Sequence, residues 1–138
     1  MSTRSFPLIV AAAISISAFA SAQAKRPRTI PNGTWGGPHI QIVVAKGFAT
    51  IEYDCANGKI NGPLKLNSGG RFDLRGTHTA EHGGPVRNEE SEQGQPAQFT
   101  GWTDGKTMKL TVTLTNSKTE IGTFELTRGS EGRIFKCR

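Results

Sequence analysis

The sequence predicts an all-β protein: an eight-stranded antiparallel up-and-down barrel tied by one disulfide. Three observations carry that expectation. Apolar and polar residues alternate with period two from Thr34 onward, turn signals recur at short intervals, and Cys55 and Cys137 are the only cysteines among 138 residues. A two-sheet sandwich is the alternative reading of the same pattern. Barrel closure is favoured because it removes exposed strand edges.

The chain divides into three stretches. Residues 1–24 read as a signal peptide: Arg4 supplies the positive start, Phe6 to Phe19 the apolar run, and Ala20-Ser21-Ala22 or Ala22-Gln23-Ala24 the small-residue end. That run is too short and too rich in Ala and Ser for a membrane span. Residues 25–33 form a basic arm, expected to be solvated, and residues 34–138 the barrel domain. The leader implies a secreted or periplasmic protein without a membrane span.

Charge is read in that light. Lys and Arg number 17 against 11 acidic residues, a formal net charge of +6. Arg4 belongs to the leader, and Lys25, Arg26 and Arg28 crowd the arm, so the body is close to balance. A local basic arm is poor support for nucleic-acid binding, and no nucleic-acid partner is expected.

The strand-like segments follow in order. Ile40, Ile42 and Val44 make the first, and Ala49, Ile51, Tyr53 and Cys55 the second. Leu64 with Leu66, Phe72 with Leu74, and Ala97 with Phe99 make the next three. Met108, Leu110, Val112 and Leu114 make the clearest. Phe124 with Leu126, then Phe135 with Cys137, complete the eight. Lys46-Gly47, Asn57-Gly58, Ser68-Gly69-Gly70, Asp104-Gly105, Asn116-Ser117-Lys118 and Gly129 to Gly132 supply the turn chemistry between them. One connection is longer. Gly83 to Pro96 is polar, carries Glu89, Glu90 and Glu92, and is of a length that is either functional or disordered.

In an oxidising compartment the two cysteines are expected to pair, with two free thiols as the alternative. The up-and-down order places Cys55 and Cys137 at the same barrel end, on strands separated only by the first. It places Trp35 and the acidic loop at that end as well. A crosslink closing so long a loop stabilises by on the order of 4 kcal/mol in the chain-entropy account. Nothing like C-x-x-C supports a redox role.

Gly33-Thr34-Trp35 at the opening of the barrel resembles the G-x-W start of the lipocalins and their calycin relatives. The resemblance implies that Trp35 plugs the base of the barrel while an Arg near the end of the chain, Arg133 or Arg138, packs across it. The large loop that lipocalins place between their first two strands has only Lys46-Gly47 as its counterpart. GTWGGPHIQI (33–42) with IEYDCANGKI (51–60) also resembles an uncharacterised family of small exported bacterial proteins, which implies no particular activity.

The signals for catalysis are thin. His78-Thr79-Ala80-Glu81-His82 matches H-x-x-E-H, a zinc-peptidase pattern that needs a helix so that both imidazoles share one face. The surrounding alternation is β, and in a strand the two histidines lie roughly 13 Å apart, too far to share one ion. No catalytic residue, metal or cofactor is expected. His78 falls in phase with Phe72 and Leu74 and so faces the interior, either as a hydrogen-bonded core residue or as a ligand contact. His39 lies near Trp35, and a surface metal site with His82 is not demanded by any spacing. Trp102 is out of phase with Phe99 and so faces outward, where an exposed Trp marks a contact surface.

The functional expectation is a monomeric, non-catalytic barrel that binds a small molecule inside or at its mouth, with Trp35, Tyr53, His78 and Trp102 as candidate contacts. The alternative is an envelope protein-binding module such as a lysozyme-type inhibitor, a class whose small disulfide-tied barrels Tyr53-Asp54-Cys55 resembles. An interior ligand requires a cavity of hundreds of Å³. The inward Tyr53, Phe72, Phe99, Phe124 and Phe135 are bulky enough to fill the barrel instead.

Overall fold

The computed structural model describes residues 27–81 and 94–137. The leader at 1–24, Lys25, Arg26, His82, the acidic residues Glu89, Glu90 and Glu92, and Arg138 lie outside the described residues. Eight strands form: β1 Gly33–Gly37, β2 Ile40–Ala45, β3 Phe48–Tyr53, β4 Ala56–Asn61, β5 Arg71–Ala80, β6 Gln95–Thr103, β7 Thr107–Leu114 and β8 Glu120–Arg128. Each pairs antiparallel with its successor. β1 returns to β8 through Trp35 opposite Arg128 and Gly36 opposite Thr127, which closes the barrel. The architecture is the predicted up-and-down barrel, and Cys55 is bonded to Cys137. Among the described residues no helix is long and apolar enough to cross a membrane.

Two of the eight predicted segments are not strands, and two strands were missed. Leu64 and Leu66 lie in the β4–β5 connection, where Leu64 is buried and Lys65 makes an isolated bridge to Thr29. Phe135 and Cys137 belong to a tail after β8, and Phe135 is 66% exposed rather than inward. β1 and β4 take their places. Asn57-Gly58, expected as a turn, sits inside β4 opposite Glu52 and Ile51. The turn is three residues earlier, at Asp54-Cys55, with Cys55 in the left-handed region at φ 54°.

Alternation puts one face of every strand inside. Ile40, Ile42 and Val44 of β2, Ile51 of β3, Phe99 of β6 and Leu110 and Val112 of β7 are all buried. Their side chains fill the barrel. The void left between Ile42, Val44, Leu74 and Leu110 is about 10 Å³, no more than about one water occupies. The space between these core residues is far smaller than the hundreds of Å³ of an ordinary ligand pocket.

The two ends differ. At one, the segment before β1 seals the barrel. Ile30 donates from its amide to the Leu64 carbonyl at 2.9 Å, Leu66 donates to Arg28 at 2.8 Å, and Ile30 is buried. Residues 28–30, expected as part of a solvated arm, are thus paired to the β4–β5 connection. Trp35 completes this base, since its indole Nε1 donates to the Pro31 carbonyl at 3.0 Å. It leans away from the disulfide, not toward it as the strand count had implied, because the strand that carries it is one earlier than expected.

The other end carries the β1–β2, β3–β4 and β7–β8 turns, the two ends of the β5–β6 connection, and the disulfide. The tail reaches it from the base by running back along the outside of β1. Arg133 donates to Gly37 at 3.1 Å and accepts from His39 at 2.8 Å, and Gly132 donates to the Gln41 side chain at 2.9 Å. Glycine makes this approach possible: a Cβ on Gly36 would overlap the tail backbone at Ser130 to Gly132.

Candidate functional site at the disulfide end

Because the base is sealed and the interior filled, chemistry is available at the mouth, and two strand registers assemble a site there. β3 ends on Tyr53 and β5 carries His78 in the same inward phase, with β4 between them. β4 presents Ala56 and Gly58 inward, so nothing large separates the two rings. Their centroids lie 5.4 Å apart with the planes tilted by 49°, and the Phe124 ring of β8 lies 5.7 Å from Tyr53. Tyr53, His78, Ala56, Ala80, Ile121 and Phe124 line a pocket of about 360 Å³ that opens beside His39, Asp54 and Cys55.

Both polar side chains in this pocket are buried, Tyr53 at 3% exposure and His78 at 6%. Neither the Tyr53 hydroxyl nor His78 Nδ1 has a hydrogen-bond partner, and no other buried side-chain polar atom among the described residues is in that position. A native interior almost always pairs such groups, because an unpaired one costs about 1–3 kcal/mol. Two such groups with adjacent rings, on residues that also line this pocket, are an unusual pairing for a native interior.

Electrostatics keep both groups neutral. Burial raises the Tyr53 hydroxyl above the ordinary tyrosine value and lowers the His78 imidazole below the ordinary histidine value. A stability prediction follows from His78. Its folded form resists protonation while the unfolded chain accepts a proton near pH 6.5, so stability falls as pH drops below that value. The urea midpoint is expected to decline between pH 7.5 and 5.5, and His78→Gln is expected to flatten that decline. A midpoint constant over this window in the wild type contradicts the assignment.

The rim is charged, but its charges are already paired. Asp54 accepts from the Phe135 amide at 2.7 Å and bonds to His39 Nδ1. The Phe135 amide, and after it the His39 imidazole, hold the Asp54 carboxyl below the usual carboxylate range against the opposing effect of burial. Glu81 accepts from the Asn57 amide at 2.9 Å and from Lys136 at 3.3 Å. Asn57 first, then Lys136, lower its carboxyl as well. These contacts and the disulfide fasten residues 135–137 across the β3–β4 hairpin. His39 takes the left-handed conformation at φ 66°, which places its ring against Asp54 and 5.9 Å from Phe135.

The predicted contacts therefore separate. Tyr53 and His78 meet in one pocket. Trp35 is fully buried in the base. Trp102 is on the outer wall near the opposite end, 40% exposed as its phase implied. His78 lies in a strand, and His82 is outside the described residues, so the H-x-x-E-H spacing has no helix behind it at its first histidine. Among the described residues no three metal-ligating side chains cluster. Asp54, Phe124 and Ile121 were not singled out as site residues. Only the register across the closed seam brings Phe124 to Tyr53, and no local motif encodes that.

Relatives offer no guide. No protein-family model, curated protein or solved structure matches this chain. Arg128 is the register partner of Trp35, and its guanidinium donates twice to the Asn32 carbonyl beside the tryptophan, at 2.7 and 3.1 Å. Arg133 is committed to the tail.

Proposed function

We propose that this protein is an exported, non-catalytic barrel that binds a compact neutral molecule at its disulfide-end mouth. The observation that carries the reading is the adjacent pair of buried, unpartnered groups, the Tyr53 hydroxyl and His78 Nδ1. The hydroxyl gives and accepts, and a neutral imidazole offers one donor and one acceptor. Most of the wall is apolar: Ala56, Ala80, Ile121 and Phe124, while the Asp54 carboxylate at the opening is bonded to His39. A charged ligand would have to leave water and compete with that existing pair, which is costly. A flat amide or lactam, with donor and acceptor side by side, matches both groups. A disulfide-tied barrel following an apolar, small-residue leader supports the export half of the reading.

The test uses 2-pyridone and benzamide as neutral probes, with benzoate and benzylammonium as charged controls, in an NMR titration of the purified protein. The neutral probes are expected to bind more tightly than the controls. Tyr53→Phe is expected to weaken the 2-pyridone affinity by about tenfold, one hydrogen bond's worth. The same change should leave the urea midpoint unaltered or raise it, because it removes an unpaired buried hydroxyl. Equal affinity for neutral and charged probes, or an affinity indifferent to Tyr53→Phe, would count against the reading.

A further inference from the structure

A second surface lies on the outer wall at the sealed end, independent of the mouth pocket. Strands β5, β6 and β7 place Arg71, Trp102 and Lys109 directly opposite one another in one outward row. Neighbouring strands are about 4.8 Å apart, so a cation flanks the exposed indole on each side. The next outward row is Asp73, Thr100 and Thr111. Lys65 and Asn67 from the β4–β5 connection complete a groove of about 750 Å³. A neighbouring groove shares Lys65 and Asn67 and continues to Arg28. The indole's Nε1 edge lies over Gly70, where a Cβ would stand 3.5 Å away. The edge of the indole thus passes close to the Gly70 turn, and the residue is 40% exposed.

We infer that this groove binds an acidic oligosaccharide, a chain of uronate-type sugars. An exposed Trp is a large apolar surface with no packing duty on the outside of a barrel, and it offers a flat face on which a ring can stack. Lys65, Arg71 and Lys109 stand against the single carboxylate of Asp73, so the groove is positive and complementary to a carboxylate-bearing chain. Arg71 supplies the planar fork that suits a carboxylate. The Asp73 carboxylate accepts from the Gln98 side chain at 2.7 Å and keeps acceptor capacity for sugar hydroxyls, and Thr100 and Thr111 add hydroxyls beside it. Nucleic-acid grooves stack successive bases on several aromatic rings, whereas Trp102 is the one exposed aromatic side chain lining this groove.

Tetragalacturonate, neutral cellotetraose and single-stranded oligothymidylate are the probes, followed by calorimetry and tryptophan fluorescence on the full mature chain. Tetragalacturonate is expected to bind at low salt, to weaken as salt rises, and to alter only the Trp102 emission, since Trp35 is buried. Trp102→Ala is expected to reduce its affinity about tenfold. Should that variant fold poorly by near-ultraviolet circular dichroism, Arg71→Gln with Lys109→Gln leaves the indole in place and tests the charges alone, with a similar loss expected. No binding of tetragalacturonate at millimolar concentration overturns the inference. Equal binding of cellotetraose, tighter binding of oligothymidylate, or indifference to both variants overturns it too. Tyr53→Phe serves as the independent control, because failure at the mouth leaves this groove unaffected.

Discussion

Reduction of the Cys55–Cys137 bond is expected to lower the free energy of unfolding by about 4 kcal/mol. In thermal melts of a domain this size, that is a drop of about 15–20 °C. The reasoning is topological. The two cysteines are 82 residues apart in sequence yet 4.9 Å apart at Cα, so the crosslink removes a large closed loop from the unfolded ensemble. It also fixes the tail. Residues 135–137 contribute few buried apolar contacts, and Phe135 is mostly exposed, so hydrogen bonds to Asp54, Glu81 and the Ala56 carbonyl, with the Phe135 ring beside His39, are their remaining hold on the mouth. Such surface contacts are individually weak. Melting of Cys55→Ala with Cys137→Ala, compared with the oxidised wild type, checks this. A loss under about 1 kcal/mol would mean that the tail and the turn at Cys55 hold themselves without the bond.

Trp35→Ala is expected to cost about 3–5 kcal/mol, the usual range for deleting a large core aromatic. Two features put it at the upper end. Trp35 is entirely inaccessible to solvent, and it lies at the seam, where β1 meets β8 through the short ladder Trp35–Arg128 and Gly36–Thr127, extended by the Gly129 amide bonded to Thr34. β1 has five residues, three of them glycine, so the indole supplies most of the apolar surface that holds this strand in the barrel. Trp35→Phe keeps a ring and loses the hydrogen bond to Pro31, and a smaller cost of about 1 kcal/mol is expected for that bond. Urea unfolding of both variants checks the order. Similar costs for the two would show that the hydrogen bond, not the packing, anchors the base.

Much of the fold was legible because period-two alternation is a direct consequence of a strand with one face buried. Met108 to Leu114 and Ala49 to Tyr53 read that way and are β7 and β3. The missed strands fail the same test for physical reasons. β1 has one apolar side chain among glycines. β4 alternates as Ala56, Gly58 and Ile60, but its inward residues are small because larger rings occupy their space. A Cβ on Gly58 would stand 3.2 Å from the Tyr53 hydroxyl and 3.4 Å from the Phe99 ring. The Asn57-Gly58 pair then imitates a hairpin turn. Leu64 and Leu66 are apolar because they help cap the base, and Phe135 mimics a strand residue while lying on the rim. Two surplus segments offset two missing ones, so the count of eight was right although its membership was not.

The site was legible in its parts but not as a constellation. Phase alone assigns His78 inward and Trp102 outward. That Tyr53 stands beside His78, with Phe124 closing the wall, depends on the β3–β4–β5 register and on closure from β8 to β1. Sequence periodicity sets a residue's face but not its neighbour two strands away. The mouth also depends on what fills the barrel below it, and the 10 Å³ void is a sum over many side chains that no motif encodes.

Residue-resolved NMR of the protein saturated with 2-pyridone tests most directly whether a filled barrel binds at its disulfide end. Shifts are expected only at Tyr53, Ala56, His78, Ala80, Ile121 and Phe124, with the Ile42, Val44 and Leu110 methyls unmoved. Shifts centred on those interior methyls, or no shifts at the mouth under saturating probe, would contradict that reading.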